Sequence, residues 1–374
     1  MPSAGETRGW THTALAQQIV FGAGALKRLP ELTRTAGGRR ALLVTTVGRI
    51  ASDDGQRLVA VLGRTLVSTF SDVVSHVPTP LVQQAVLQAR RDGIDLVVSF
   101  GGGSSADLGK AVCFFLEQEA GMPGSSHLDR PLVPHVSIPT TYSGAELTPF
   151  FGMTDPATGR KQGAGGPTSA PVIAIYDPEL TLSTPPRTSA ETGMNALAHC
   201  VEAVWSPHRT PEAEAIAVAG ISRIRDALPG VFRDPADLDA RSSMLEGAFL
   251  GGRCLLNAGM GVHHGLAQLV GGRAGIPHGL ANAVLLSHCI RFNASAAPEA
   301  VATVGKVLGR PADPAGAVED LRDELGLPVG LQDAGVEEDD LGAIARLSQS
   351  NHNVARNPRP VSEEDALAIL QAAW

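Results

Sequence analysis

The sequence predicts an α/β N-terminal domain on a mostly parallel sheet (residues 1–180), followed by an all-α C-terminal domain (residues 181–374). Three observations predict it. Short apolar runs alternate with helical periodicities up to residue 178, the pattern of strands joined by crossover helices. Beyond Pro185-Pro186 the short runs stop and only helical spacing remains. Between these, the apolar run Ile94–Phe100 leads directly into Gly101-Gly102-Gly103-Ser104-Ser105-Ala106-Asp107-Leu108-Gly109-Lys110 and then more apolar residues at helical spacing.

In order, Gln18–Phe21 reads as a first strand and Leu26–Leu32 as a short helix. Arg40–Thr45 is a second strand, Asp53–Leu66 the next helix, and Thr69–Val74 a third strand ended by Pro78 and Pro80. Residues 81–92 are helical, 94–100 and 135–139 are buried strands, and Pro171–Pro178 closes the series. The second half reads as nine helices: 188–206, 211–229, 240–257, 259–271, 279–293, 297–309, 313–325, 337–349 and 362–373. The cleft between two such domains is the expected substrate site.

Composition narrows the function. Hydrophobic residues make up 43% of the chain and charged residues 18%, as in a compact protein able to bury a large core. The net charge is −8 with no Lys/Arg cluster, which argues against a nucleic-acid partner, whereas a local cationic pocket suits a small anionic substrate. Cys113, Cys200, Cys254 and Cys289 form no C-x-x-C pair and read as reduced buried thiols. No apolar run reaches 18 residues and no signal-like head is present, so the expectation is a cytoplasmic protein with no membrane partner.

A strand, a glycine turn and a helix start together make an anion site, because close-approaching N–H groups and the helix dipole favour a pyrophosphate. The spacing matches neither G-x-G-x-x-G nor the Walker loop, despite the Gly109-Lys110 pair. Gly101, Gly102, Gly103, Ser104, Ser105, Asp107 and Lys110 are the candidate phosphate contacts, with a structural turn as the alternative. Thr46 stands at the tip of the second strand, where an adenosine ribose is met. No carboxylate occurs there before Asp53, so NADH and NADPH both remain open; Arg49 is a candidate for a 2′-phosphate or an exposed loop arginine. Thr140 and Thr141, after the strand 135–139, suit the cofactor too, although turn chemistry also explains them.

Asn195 and His199 lie four apart and share a helix face, His263 and His264 open another helix, and His278 a third. Three imidazoles can hold catalytic zinc. An asparagine in place of a carboxylate weakens the set for hard cations, so a metal is not expected.

These residues resemble the iron-containing alcohol dehydrogenase superfamily, and within it the maleylacetate reductase branch. The resemblance is carried by Ile19–Gly24, Gly101–Lys110, Pro139-Thr140-Thr141-Tyr142 with Gly144 and Glu146, Tyr176–Leu182, Gly193-Met194-Asn195-Ala196 with His199, and Asn357-Pro358-Arg359-Pro360. It implies a dinucleotide-binding N-terminal domain, a helical catalytic domain and a homodimer. Asn195, His199, His264 and His278 would occupy the superfamily's metal-ligand positions, with asparagine as in metal-independent reductases. The implied reaction is NADH- or NADPH-dependent reduction of the C=C bond of 2-maleylacetate to 3-oxoadipate in aromatic-ring catabolism. Histidines and Tyr142 would then act as donors, and Lys161, Arg253, Arg273 and Arg359 are candidates for the substrate carboxylates.

Two departures stand out. Gln268, four residues after His264, replaces a histidine common in relatives, and Ala145 replaces a hydroxyl beside Glu146. They leave open a reductase of another carbonyl substrate, or a scaffold repurposed as a lyase, cyclase or binding protein.

Overall fold

The computed structural model describes residues 12, 14–122, 130–157 and 160–374. The chain divides after Thr184 into two compact units, Ala14–Thr184 and Pro185–Trp374.

The first unit contains, in order, β1 (Gln18–Phe21), α1 (Leu29–Thr35), β2 (Ala41–Val44), α2 (Val47–Ala51), α3 (Asp53–Leu62), β3 (Leu66–Phe70), α4 (Thr79–Arg91), β4 (Leu96–Gly101), α5 (Gly103–Glu119), β5 (His135–Pro139), β6 (Phe150–Asp155), β7 (Arg160–Gly165) and β8 (Ile173–Tyr176). Six strands form one sheet in the order β1-β8-β5-β4-β2-β3, with every pairing parallel. Side chains alternate across it. Leu42, Val44 and Val97 face Val82, Val86, Leu108 and Val112 of α4 and α5. Leu43, Val98 and Phe100 face the opposite core with Leu29, Leu32 and Leu58. Burial on both faces explains why these strands read as continuous apolar runs.

The strand order reverses direction between β2 and β4. In open parallel sheets ligands bind outside the carboxyl ends of strands at such a switch. Here those ends carry Thr46 and Gly101–Gly103.

Two local readings are corrected. The helix expected over 53–66 stops at Leu62, because Gly63 takes a left-handed φ of 50°, and β3 begins at Leu66 rather than residue 69. The antiparallel hairpin β6–β7 has no counterpart in the sequence reading. Its second strand, with Gly163 and Gly165, lacks the branched residues that announce a strand.

The second unit holds nine helices among the described residues: α6 (Pro186–Trp205), α7 (Pro211–Arg233), α8 (Leu238–Ala258), α9 (Val262–Ala274), α10 (His278–Asn293), α11 (Pro298–Leu308), α12 (Pro314–Glu324), α13 (Glu338–Ser348) and α14 (Glu363–Ala372). All nine expected helices are present. The helix α7 continues past its expected end at 229, through Pro229, to Arg233. No described helix is long and apolar enough to cross a membrane.

Candidate active site

A first candidate group sits at the C-terminal end of β4. Gly101 has φ 143°, a conformation open to glycine, and a Cβ there would lie 2.6 Å from Ser105 Oγ. A Cβ on Gly102 would come 3.2 Å from the Thr141 side chain, and one on Gly103 3.1 Å from Ser143 Oγ. The N-cap of α5, Gly102, offers no side-chain cap. Ser105 Oγ, Thr140 Oγ1 and Thr141 Oγ1 are buried there without a hydrogen-bond partner. Buried orphan hydroxyls are rare and call for a ligand. A bare helix start, glycine clearance and unpaired hydroxyls fit a dinucleotide pyrophosphate; the half-buried Ser104 lies in the same first turn.

Lys110 is a correction. Its side chain is fully buried, and Nζ reaches Ala145 O (2.9 Å), Thr148 Oγ1 (3.1 Å), Phe150 O (2.6 Å) and Asp107 Oδ1 (2.8 Å). An ammonium has three donors, so none is left for a phosphate. Lys110 instead binds the 145–150 loop to α5. Asp107, a further expected contact, pairs with it and accepts from Gly152 N at 3.4 Å. Thr46 caps α2 by accepting from Arg49 N at 3.1 Å. The Arg49 guanidinium donates to Ser183 Oγ (2.7 Å) and Thr184 Oγ1 (2.6 Å). Tyr142 is buried in the loop after β5, and Ala145 presents its carbonyl to Lys110.

A second candidate group gathers on α6, α9 and α10. Ring centroids of His199 and His264 are 4.5 Å apart and stacked; His264 and His278 are 5.9 Å apart, and His263 and His264 5.0 Å. Asn195 lies one turn before His199, also buried. The organising residue is one that sequence reasoning missed, Glu202. Its Oε1 accepts from Gly261 N (3.0 Å) and His263 N (3.2 Å), and its Oε2 from His264 N (3.3 Å) and His264 Nδ1 (2.8 Å). Glu202 thus acts as the anion at the start of α9. Burial opposes its ionisation, yet the bonds from His263 and His264 prevail and hold the carboxyl well below the usual range.

The tautomers follow. His263 Nε2 meets the Asn282 carbonyl at 2.9 Å, and a carbonyl only accepts, so the His263 proton is on Nε2. His264 donates from Nδ1 to Glu202, which leaves Nε2 as its working nitrogen. His263 was expected among the catalytic donors; fully buried, with Nδ1 3.3 Å from His264 Nδ1, it positions His264 instead. Burial, then the His264 and His278 rings, push His199 well below the ordinary histidine range, so it is neutral. Gln268 Oε1 accepts from Asn353 Nδ2 at 3.2 Å.

Three of the expected carboxylate anchors pair with carboxylates of the protein itself. Arg253 pairs with Glu212 at 2.8 Å and Arg273 with Asp340 at 2.6 Å. Arg359 reaches Asp365 at 3.5 Å and lies 4.2 Å over the Phe292 ring. Lys161 pairs with Thr154 across the β6–β7 hairpin, and its side chain is outside the described residues.

A match to the family described as iron-containing alcohol dehydrogenase covers residues 16–178, and its C-terminal counterpart covers residues 189–374. The chain belongs to the iron-containing alcohol dehydrogenase family. It is 37% identical over 353 residues to maleylacetate reductase of Burkholderia cepacia, covering 94% of each chain. The Rhizobium sp. strain MTP-10005 maleylacetate reductase is 37% identical over 365 residues, 98% of this chain and 97% of the relative. The crystal structure of the latter enzyme superposes with a TM-score of 0.86 over 98% of this chain and 99% of that one. A putative alcohol dehydrogenase from Ralstonia eutropha JMP134 gives 0.89 at 36% identity, covering 98% of each chain. Within the family the chain falls in the maleylacetate reductase branch, and it is an NAD(P)H-dependent oxidoreductase.

The family name implies iron. Among the described residues, the group whose ligand atoms lie within 4.8 Å of one another is Glu202, His263 and His264, not His199, His264 and His278. That group is buried and already committed to internal hydrogen bonds. The family positions offer an amide and three imidazoles with no carboxylate. They make a weaker set for a hard divalent cation than one that includes a carboxylate.

Proposed function

We propose that the protein reduces the C=C bond of 2-maleylacetate with NADH or NADPH, giving 3-oxoadipate, without a resident metal. The observation that carries the reading is the 2.8 Å contact between Glu202 and His264 Nδ1 inside a cluster of imidazoles. The first unit serves as the dinucleotide-binding domain and the second as the catalytic one.

A bound nicotinamide supplies the hydride. Addition to the carbon β to the ketone moves the electron pair onto the ketone oxygen as an enolate, which must meet a donor. Glu202 fixes the His264 ring by accepting from Nδ1, and Nε2 is the nitrogen that exchanges the proton. His199, neutral, packs against that ring without adding a competing charge. A proton then joins the former alkene carbon bonded to the ketone, completing the saturated oxo acid. The protein is further proposed to be a cytoplasmic homodimer acting in aromatic-compound breakdown.

The test is an NAD(P)H oxidation assay with maleylacetate and identification of the product, with and without chelator, zinc and iron. Turnover to 3-oxoadipate that is indifferent to metal is expected. Nucleotide binding without turnover overturns the substrate, and strong activation by either metal overturns the metal-free chemistry.

A further inference from the structure

A dicarboxylate substrate needs a cation, and Arg253, Arg273 and Arg359 already have carboxylate partners. Arg356 does not. It ends the turn Val354–Arg356, which lies on the first turns of α9 through three contacts. Asn357 Oδ1 accepts from Val262 N at 3.3 Å, and Asn353 donates to Gln268 at 3.2 Å. Val354 fills the space beside Gly265, where a Cβ would lie 2.4 Å from Val354 Cγ2. The Arg356 guanidinium lies against the loop entering α9, with Nη1 3.2 Å from where a Gly259 Cβ would stand.

This arginine is half-buried, yet among the described residues its guanidinium has no hydrogen bond and no ion pair. Its charge also reaches His208, which is pushed down by burial first and then by Arg356 and His352. A partly desolvated guanidinium without a counter-ion is poised for a bidentate anion. The loop Gly259–Gly261 beneath it runs into the α9 turn where Glu202 holds His264.

We propose that Arg356 anchors one carboxylate of the substrate. This rests on the oxo-diacid reading above. It assigns specificity to the 351–357 segment, where Gln268 and Asn353 hold the turn in place.

The test uses the full chain with maleylacetate as substrate and adipate, an inert diacid, as competitive inhibitor. Arg356→Gln should raise KM and the adipate inhibition constant together by about tenfold or more, with kcat changed less than about threefold. Arg356→Lys should recover part of the loss, and the weak inhibition by adipamide, which has no charge, should not move. A merely structural arginine would not separate adipate from adipamide. If Arg356→Gln does not fold, Arg356→Lys and Arg356→Met carry the same comparison. Unchanged adipate inhibition in folded variants, or no adipate binding by the wild type, overturns the assignment. Adipate binding that depends on Arg356 without maleylacetate turnover supports the anchor and removes only the substrate reading.

Discussion

Glu202 is buried at the start of α9 and takes four hydrogen bonds, three from main-chain N–H groups and one from His264 Nδ1. Glu202→Gln keeps the shape and removes the charge that orients His264. It should lower kcat about a hundredfold while leaving the NAD(P)H dissociation constant unchanged, since the glycine cradle belongs to the other unit. Steady-state kinetics beside a fluorescence titration of NADH would show it; an unaltered kcat would remove Glu202 from the mechanism. The histidines were legible because helix starts and four-residue spacing mark them locally. Glu202 also stands three residues after His199, on a helix face that could have been read. What hid it is that its partners lie 59 to 62 residues away. Lys110 misled for the same reason: Gly-Lys resembles a phosphate lysine, and the acceptors that claim it are 35 to 40 residues onward.

At the scale of elements, all nine helices of the second unit announced themselves by period alone, while the limits of β3 and the existence of the β6–β7 hairpin did not. Strand limits depend on pairing across the sheet, as in the register of Leu42 with Ser68, which no local window contains. The 351–357 segment is likewise held by tertiary contacts. Gly265→Ala drives a methyl toward Val354 Cγ2 and to 3.1 Å from Val354 N, which is main chain and cannot rotate away. Urea unfolding should record a loss of about 1–3 kcal/mol. In the first unit, Gly102→Val should fill the space beside Thr141 and abolish NADH binding with the far-ultraviolet dichroism preserved. Retained affinity would show that residues 101–105 do not hold the cofactor.

Across the whole molecule, acid should act through a buried imidazole far in sequence from the cluster. His135 lies in β5 with Nε2 2.7 Å from Ser99 Oγ; burial first, and then the charge of Lys110, push it down to about 3. The folded state therefore keeps it neutral while the unfolded chain takes up a proton below about pH 6.5. Stability should fall as pH drops from about 6.5 toward 3, by on the order of 1 kcal/mol per pH unit. His135→Gln should flatten that limb in a series of Tm measurements, and a parallel slope in both proteins would exclude His135 as its source. Saturating NADH should raise Tm at neutral pH, by mass action on the folded state, whereas zinc should not.

Lys110 sits with no exposed surface, its ammonium enclosed by carbonyls and a carboxylate. Amine-acylating reagents should thus mark Lys27 and Lys306, both at the surface, and pass over Lys110 until the β4–α5 region comes apart. The time course of its labelling becomes a clock for the opening of the first unit, readable by mass spectrometry in a single peptide.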